Sequence, residues 1–110
     1  MAKVFGIHTF EPRPGVTEAD FEQYMIEAGR QIPDLPGEKS YFVKGDRGEH
    51  AGAYLLIVVI DSVADRDRLY PSPTELSAEA LQRFETYKAI YERGDSLAVH
   101  SFTDYVVLGE

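Results

Sequence analysis

The amino-acid sequence predicts an α+β fold in which one four-stranded antiparallel sheet carries helices on a single face. Three observations predict it. The segments run strand, helix, strand, strand, helix, strand. The run from Ala53 to Ile60 is apolar on both faces. And 110 residues with no internal repeat or linker fit one domain, residues 1–110.

Each element has a local reason. Lys3 to Phe10 alternates with period two, Phe5, Ile7 and Thr9 on one side and Val4, Gly6, His8 and Phe10 on the other, which is a strand. Glu11-Pro-Arg-Pro-Gly15 breaks it. Thr17 is suited to cap a helix, with Asp20 three positions on, and Phe21, Met25, Ala28 and Ile32 form its apolar stripe. Pro33 pushes Ile32 out of helical geometry and ends that helix. A second strand begins at Tyr41 to Lys44, a polar glycine-flanked hairpin loop follows over 46–52, and Ala53 to Ile60 is the third strand. Ser62 caps a short helix with Asp65 at its third position. After Tyr70-Pro-Ser-Pro73 a longer helix is predicted from about Ser77 to Arg93, with Gly94 as its stop. Val99 to Leu108 is the last strand.

Composition removes several function classes. The absence of cysteine excludes disulfide scaffolds, thiolate zinc sites, iron–sulfur clusters and cysteine nucleophiles. A net charge of −8 opposes binding to nucleic acid and to an anionic membrane surface. Met1-Ala2-Lys3 leads directly into a strand-like segment with no apolar leader or spanning stretch, so a cytoplasmic location is the expectation.

The βαββαβ order is the ferredoxin-like, split βαβ arrangement, with strands in the spatial order 4-1-3-2. On strand one the Phe5/Ile7 side is the more apolar, so it is assigned to the helices, and Val4, Gly6, His8 and Phe10 are expected to look outward. The two-sided run at Ala53 to Ile60 needs cover on that outer face as well, because each aliphatic side chain left in water forgoes roughly 1.5–3 kcal/mol. A homodimer packed sheet to sheet removes the exposure.

Order, length and the interrupted second helical region, together with the strings Tyr41-Phe-Val-Lys-Gly-Asp-Arg-Gly-Glu, Asp61-Ser-Val-Ala-Asp-Arg-Asp-Arg-Leu-Tyr-Pro and Phe102-Thr-Asp-Tyr-Val-Val-Leu-Gly, resemble the dimeric α/β barrel superfamily. That group includes small antibiotic-biosynthesis monooxygenases, stress-responsive barrel proteins, polyketide cyclases, heme-degrading monooxygenases and EthD- or NIPSNAP-like proteins. The likeness covers essentially the whole chain and points to an uncharacterised branch. It implies a ligand pocket in the space between two sheets. The Asn/Trp pair typical of the antibiotic-type monooxygenases has no counterpart, since the chain contains neither residue.

The candidate chemistry rests on histidine, the side chain that titrates near neutrality unaided. His8 is late in strand one and His100 early in strand four, which are expected neighbours. An even register, with His8 opposite His100, places both on one face and nearly in contact, and a slip of one places them on opposite faces. In the even register Phe10, Phe102 and Asp104 join them on the outer face, forming an aromatic cleft suited to removing a proton from a phenolic or β-dicarbonyl compound. Tyr41 and Tyr54, on strands, are candidate ligand contacts. Each has a plainer reading: packed or interface histidines, Asp104 paired with a basic residue, tyrosines in the core. His50, in the polar loop, reads as solvated, and Asp65-Arg-Asp-Arg68 as a solvated helix face. His8, His100 and Asp104 are a thin set for a metal, and neither metal nor cofactor is expected.

The reading is therefore a small-molecule-binding dimer: a cofactor-independent cyclase, isomerase or monooxygenase acting on a small aromatic or polyketide-like compound through His8 and His100. The alternatives are a non-enzymatic ligand-binding or scaffold protein, and heme binding or degradation.

Overall fold

The computed structural model describes residues 2–110. In chain order the elements are β1 (Val4–Pro12), α1 (Glu18–Gln31), β2 (Glu38–Lys44), β3 (Tyr54–Ile60), α2 (Val63–Leu69), α3 (Ala78–Thr86), α4 (Lys88–Leu97) and β4 (Ala98–Val106). The strands form one antiparallel sheet in the order β2-β3-β1-β4, which is the expected ferredoxin-like topology. Among the described residues no helix is long and apolar enough to cross a membrane.

The capping residues act as their types dictate. Thr17, Ser62 and Ser77 each accept a hydrogen bond from the backbone N–H three residues on, at Asp20, Asp65 and Ala80. These side-chain oxygens satisfy donors that a helix N-terminus leaves without intrahelical partners. Ile32, before Pro33, is extended and closes α1.

The long second helix differs from expectation. It breaks at Tyr87, whose ψ of 24° leaves the helical range, and resumes as α4 through to Leu97. Gly94 therefore lies inside a helix and is not its stop. Its role is close approach: a Cβ there would lie 2.2 Å from the Tyr24 hydroxyl, which donates to the Ile90 carbonyl at 3.1 Å. Glycine at that position lets α1 and α4 pack around a buried tyrosine, at the cost in helix propensity that glycine carries.

The face assignment of β1 is reversed. Val4 and Gly6 are buried, and Phe10 packs against the core of Phe21, Tyr24, Met25, Ala28, Tyr54 and Ala98. The Val4/Gly6/His8/Phe10 side therefore faces the helices. Phe5, Ile7 and Thr9 lie on the bare side, in register with Val59, Ile57 and Leu55 of β3 and with Tyr105, Thr103 and Ser101 of β4. The physical reason is that both faces of β1 carry comparable apolar bulk, so that strand alone does not set the side. Phe10 against Phe21, with centroids 5.7 Å apart, does. The outer face that needs cover is thus an aliphatic and aromatic surface. Tyr41, Val99 and Tyr105 on it are 45%, 52% and 56% exposed.

Candidate functional site

Because the helices rest on the Val4/His8 side, the space beside the histidines lies between the sheet and helices of one chain. The resemblance had implied a pocket between two sheets. A cleft of about 460 Å³ opens there, walled by Gly6, His8, Leu56, Val58 and Ile60 from the central strands, by Phe42 from β2 and by His100, Phe102 and Asp104 from β4. Tyr70, the turn that follows it, Ala80, Arg83, Phe84 and Tyr91 close the helical side. The volume lies within the range typical of small-molecule sites.

The register of β1 and β4 is even. Gly6 faces Asp104, His8 faces Phe102 and Phe10 faces His100. His8 and His100 are diagonal neighbours on one face, and His8 Nδ1 lies 2.7 Å from His100 Nε2. Their rings are parallel to within 3° with centroids 4.9 Å apart. So short a nitrogen–nitrogen distance is a hydrogen bond, with one ring donating and the other accepting. Phe102 lies over His8 at 5.3 Å and Phe10 beside His100 at 5.2 Å, so the pair is flanked by aromatic rings. Burial, with the His100 charge second, lowers the His8 pKa to about 4, although Asp104 opposes the shift. Burial also lowers that of His100, against the pull of Asp95. Both shifts leave the rings uncharged at neutral pH, one donating and the other accepting.

Asp104 does find a basic partner, and it comes from the helix face that reads as solvated. Arg66 Nη1 donates to Asp104 Oδ2 at 2.9 Å, and its Nε donates to Asp67 at 2.8 Å. Arg66 thereby spans from α2 to β4 along one wall of the cleft.

The other polar pole is absent from the sequence reading. Glu38, whose side chain is 1% exposed, accepts from Arg83 Nη1 at 2.8 Å. The Tyr70 hydroxyl donates to Glu38 and accepts from Arg83 Nη2 at 2.7 Å. Arg83 Nη1 also reaches the Pro33 carbonyl, while its Nε is buried without a partner. Burial first, and the Glu38 carboxylate second, push the Tyr70 phenol well above its ordinary pKa. Burial alone would lower the Arg83 pKa, but the Glu38 hydrogen bond and the charges around it raise it, so the guanidinium stays charged. A buried ion pair of this kind holds geometry, because removing one partner leaves the other charge uncompensated. Sequence spacing offered no signal for it: Glu38, Tyr70 and Arg83 belong to three separate elements.

Of the residues expected to form a site, His8, His100, Phe102 and Asp104 line the cleft, and Phe10 supports His100 from the core side. Tyr41 lies on the bare face, opposite Ile57 of β3. Tyr54 is in the core, its hydroxyl donating to Glu22 at 3.1 Å, away from the cleft. His50 lies on the exposed 46–52 loop. Among the described residues no three His, Asp or Glu side chains come together as a metal-ligand set.

The His8 shift carries a stability consequence with a definite sign. Its pKa is about 4 folded and 6.5 in the reference state, so the unfolded chain binds more protons between those values. Stability is full above pH 6.5 and falls as pH is lowered towards 4. The urea midpoint of the native protein should therefore drop further between pH 7 and pH 5 than that of His8→Gln. Equal drops would show that His8 is not held neutral.

No protein-family model and no curated protein matches this chain. Solved structures similar in fold include the following two. One is a variant of SnoaB, a cofactor-independent oxygenase from Streptomyces nogalater, at 15% identity and a TM-score of 0.53 over 98% of this chain and 95% of that one. The other is a dimeric protein of unknown function with a ferredoxin-like fold from Bacteroides fragilis, at 14% identity and a TM-score of 0.56 over 96% of each chain. The resemblance to the dimeric α/β barrel superfamily agrees with both at the level of architecture, and the chain has the ferredoxin-like fold.

Proposed function

We propose that this protein is a homodimeric, cofactor-independent enzyme that removes a proton from a small, largely apolar, aromatic or polyketide-like ligand bound between its sheet and helices. The observation that carries this reading is the His8–His100 hydrogen bond on the wall of a 460 Å³ cleft. A neutral imidazole in an apolar, ring-lined site is a base ready at neutral pH, and its partner can pass or spread the charge it acquires. At the other pole Arg83, held by Glu38 and Tyr70, keeps a second Nη2 N–H beside an apolar volume, where it can orient an electronegative oxygen of the ligand. Whether proton removal leads on to cyclisation, isomerisation or reaction with oxygen depends on the ligand. The cofactor-independent oxygenase of similar fold supports the last of these.

The dimer belongs to the same proposal. The bare face presents Tyr41, Ile57, Ile7 and Thr103 in one row across all four strands and Val59, Phe5 and Tyr105 in the next. A second copy set against this face buries both rows and leaves each cleft on its own side of the sheet. That a protein of similar fold is dimeric supports the arrangement. Light scattering should give twice the 12.4 kDa of one chain at micromolar concentration, and Ile57→Lys should give a single-chain mass with its secondary structure intact. A native monomer would refute the dimer.

The proton-transfer reading is tested with 5-nitrobenzisoxazole, an apolar bicycle whose ring opens when a base removes its carbon-bound proton. Turnover should be level above about pH 6 and fall towards the His8 pKa of about 4, since the free base is the active form. His8→Ala and His100→Ala should each lower it by about 10²-fold. A native rate no higher than that of both variants would favour the non-enzymatic ligand-binding alternative.

A further inference from the structure

Glycine is a costly residue in the middle of a central strand, destabilising by roughly 0.5–1 kcal/mol relative to alanine. Gly6 occupies such a position, paired with Val58 on one side and Asp104 on the other. Its backbone is outside the left-handed region, so conformation does not call for glycine. The surroundings of its missing side chain do. A Cβ at Gly6 would lie 3.1 Å from Asp104 Oδ1, 3.7 Å from His8 Nε2 and 3.7 Å from Val58 Cβ.

Two polar atoms thus converge on one small volume at the cleft wall. Among the described residues neither has a protein hydrogen-bond partner, because Asp104 engages Arg66 through Oδ2 and His8 engages His100 through Nδ1. The carboxylate oxygen accepts only, and the imidazole nitrogen donates or accepts according to tautomer. A water there has two fixed polar neighbours and an open side towards the cleft, within the two to four partners that ordered waters use.

We infer that Gly6 is a positioning residue, holding open a niche for one water that is shared by Asp104 Oδ1 and His8 Nε2 and relays the ligand's proton to His8. This rests on the proton-transfer reading above. As the ligand's bond to hydrogen breaks, that proton joins the water oxygen. A proton of the same water passes to the lone pair of His8 Nε2. The water is regenerated, the ligand is left as its anion, and His8 becomes an imidazolium that keeps its Nδ1 hydrogen bond to His100. Asp104 then faces the new positive charge, and the reverse transfer returns the proton.

The test is Gly6→Ala, read in two independent ways. The added methyl presses only on Asp104 Oδ1, the end of a side chain, so the variant should unfold at a urea midpoint no lower than the native one. In the native protein, water–protein nuclear Overhauser spectra should show a cross-peak from a bound water to the ring protons of His8, and Gly6→Ala should lose it. Turnover of 5-nitrobenzisoxazole should fall tenfold or more in Gly6→Ala, while binding of its stable analogue 5-nitrobenzotriazole changes less than twofold. No bound-water cross-peak at native His8 would overturn the niche, whatever the variant does. A cross-peak lost in Gly6→Ala without a fall in turnover would overturn the relay. Native protein with no His8-dependent turnover but with the cross-peak would fail the functional reading and the relay while leaving the water site standing.

Discussion

The site depends on the pairing of β1 with β4. In this register Gly6 opposes Asp104, His8 opposes Phe102 and Phe10 opposes His100, so six residues that matter share the helix-facing side of the sheet. Side chains alternate strictly along a strand, and a slip of one residue would send the β4 members to the bare face. The register is fixed from outside the site. Phe10 packs on Phe21 and stacks beside His100, and Ala98 is buried in the same cluster. On the far side Thr9 and Ser101 share a hydrogen bond at 2.7 Å. Packing at the start of β4 therefore determines chemistry several residues along it.

On that foundation the cleft acquires two poles of different character. The β1/β4 wall carries neutral imidazoles kept uncharged by burial, with Asp104 held by Arg66 beside them. The opposite wall carries a charged guanidinium locked to a carboxylate and a phenol. Between them Leu56, Val58, Ile60 and Phe84 supply apolar surface. In the proposed reaction a base that is neutral until it acts stands across this apolar surface from the Arg83–Glu38 pair.

Much of the architecture was legible because it is local. Thr17, Ser62 and the Ile32–Pro33 boundary are governed by backbone donors and steric exclusion a few residues away, and each behaves as its sequence context dictates. Segment order was enough for the strand order. What sequence did not yield is non-local. The side of β1 that faces the helices follows from Phe10 meeting Phe21, and Gly94 follows from Tyr24 lying against α4. His8, His100, Phe102 and Asp104 were recognisable together because one pair of strands holds all four. Glu38, Tyr70 and Arg83 were not, because three elements must meet to assemble them. Arg66 was hidden for a related reason: in Asp65-Arg-Asp-Arg68 it is one of two like charges, and only the position of α2 over β4 singles it out.

The central claim is that His8 and His100 form one hydrogen-bonded, neutral base within the sheet–helix cleft. Its most direct test is nitrogen-15 spectroscopy of the two imidazoles at pH 7. A scalar coupling across the hydrogen bond between His8 Nδ1 and His100 Nε2 is expected, in a spectrum showing both rings uncharged. Two rings with no such coupling, titrating independently near the ordinary histidine value, would contradict it.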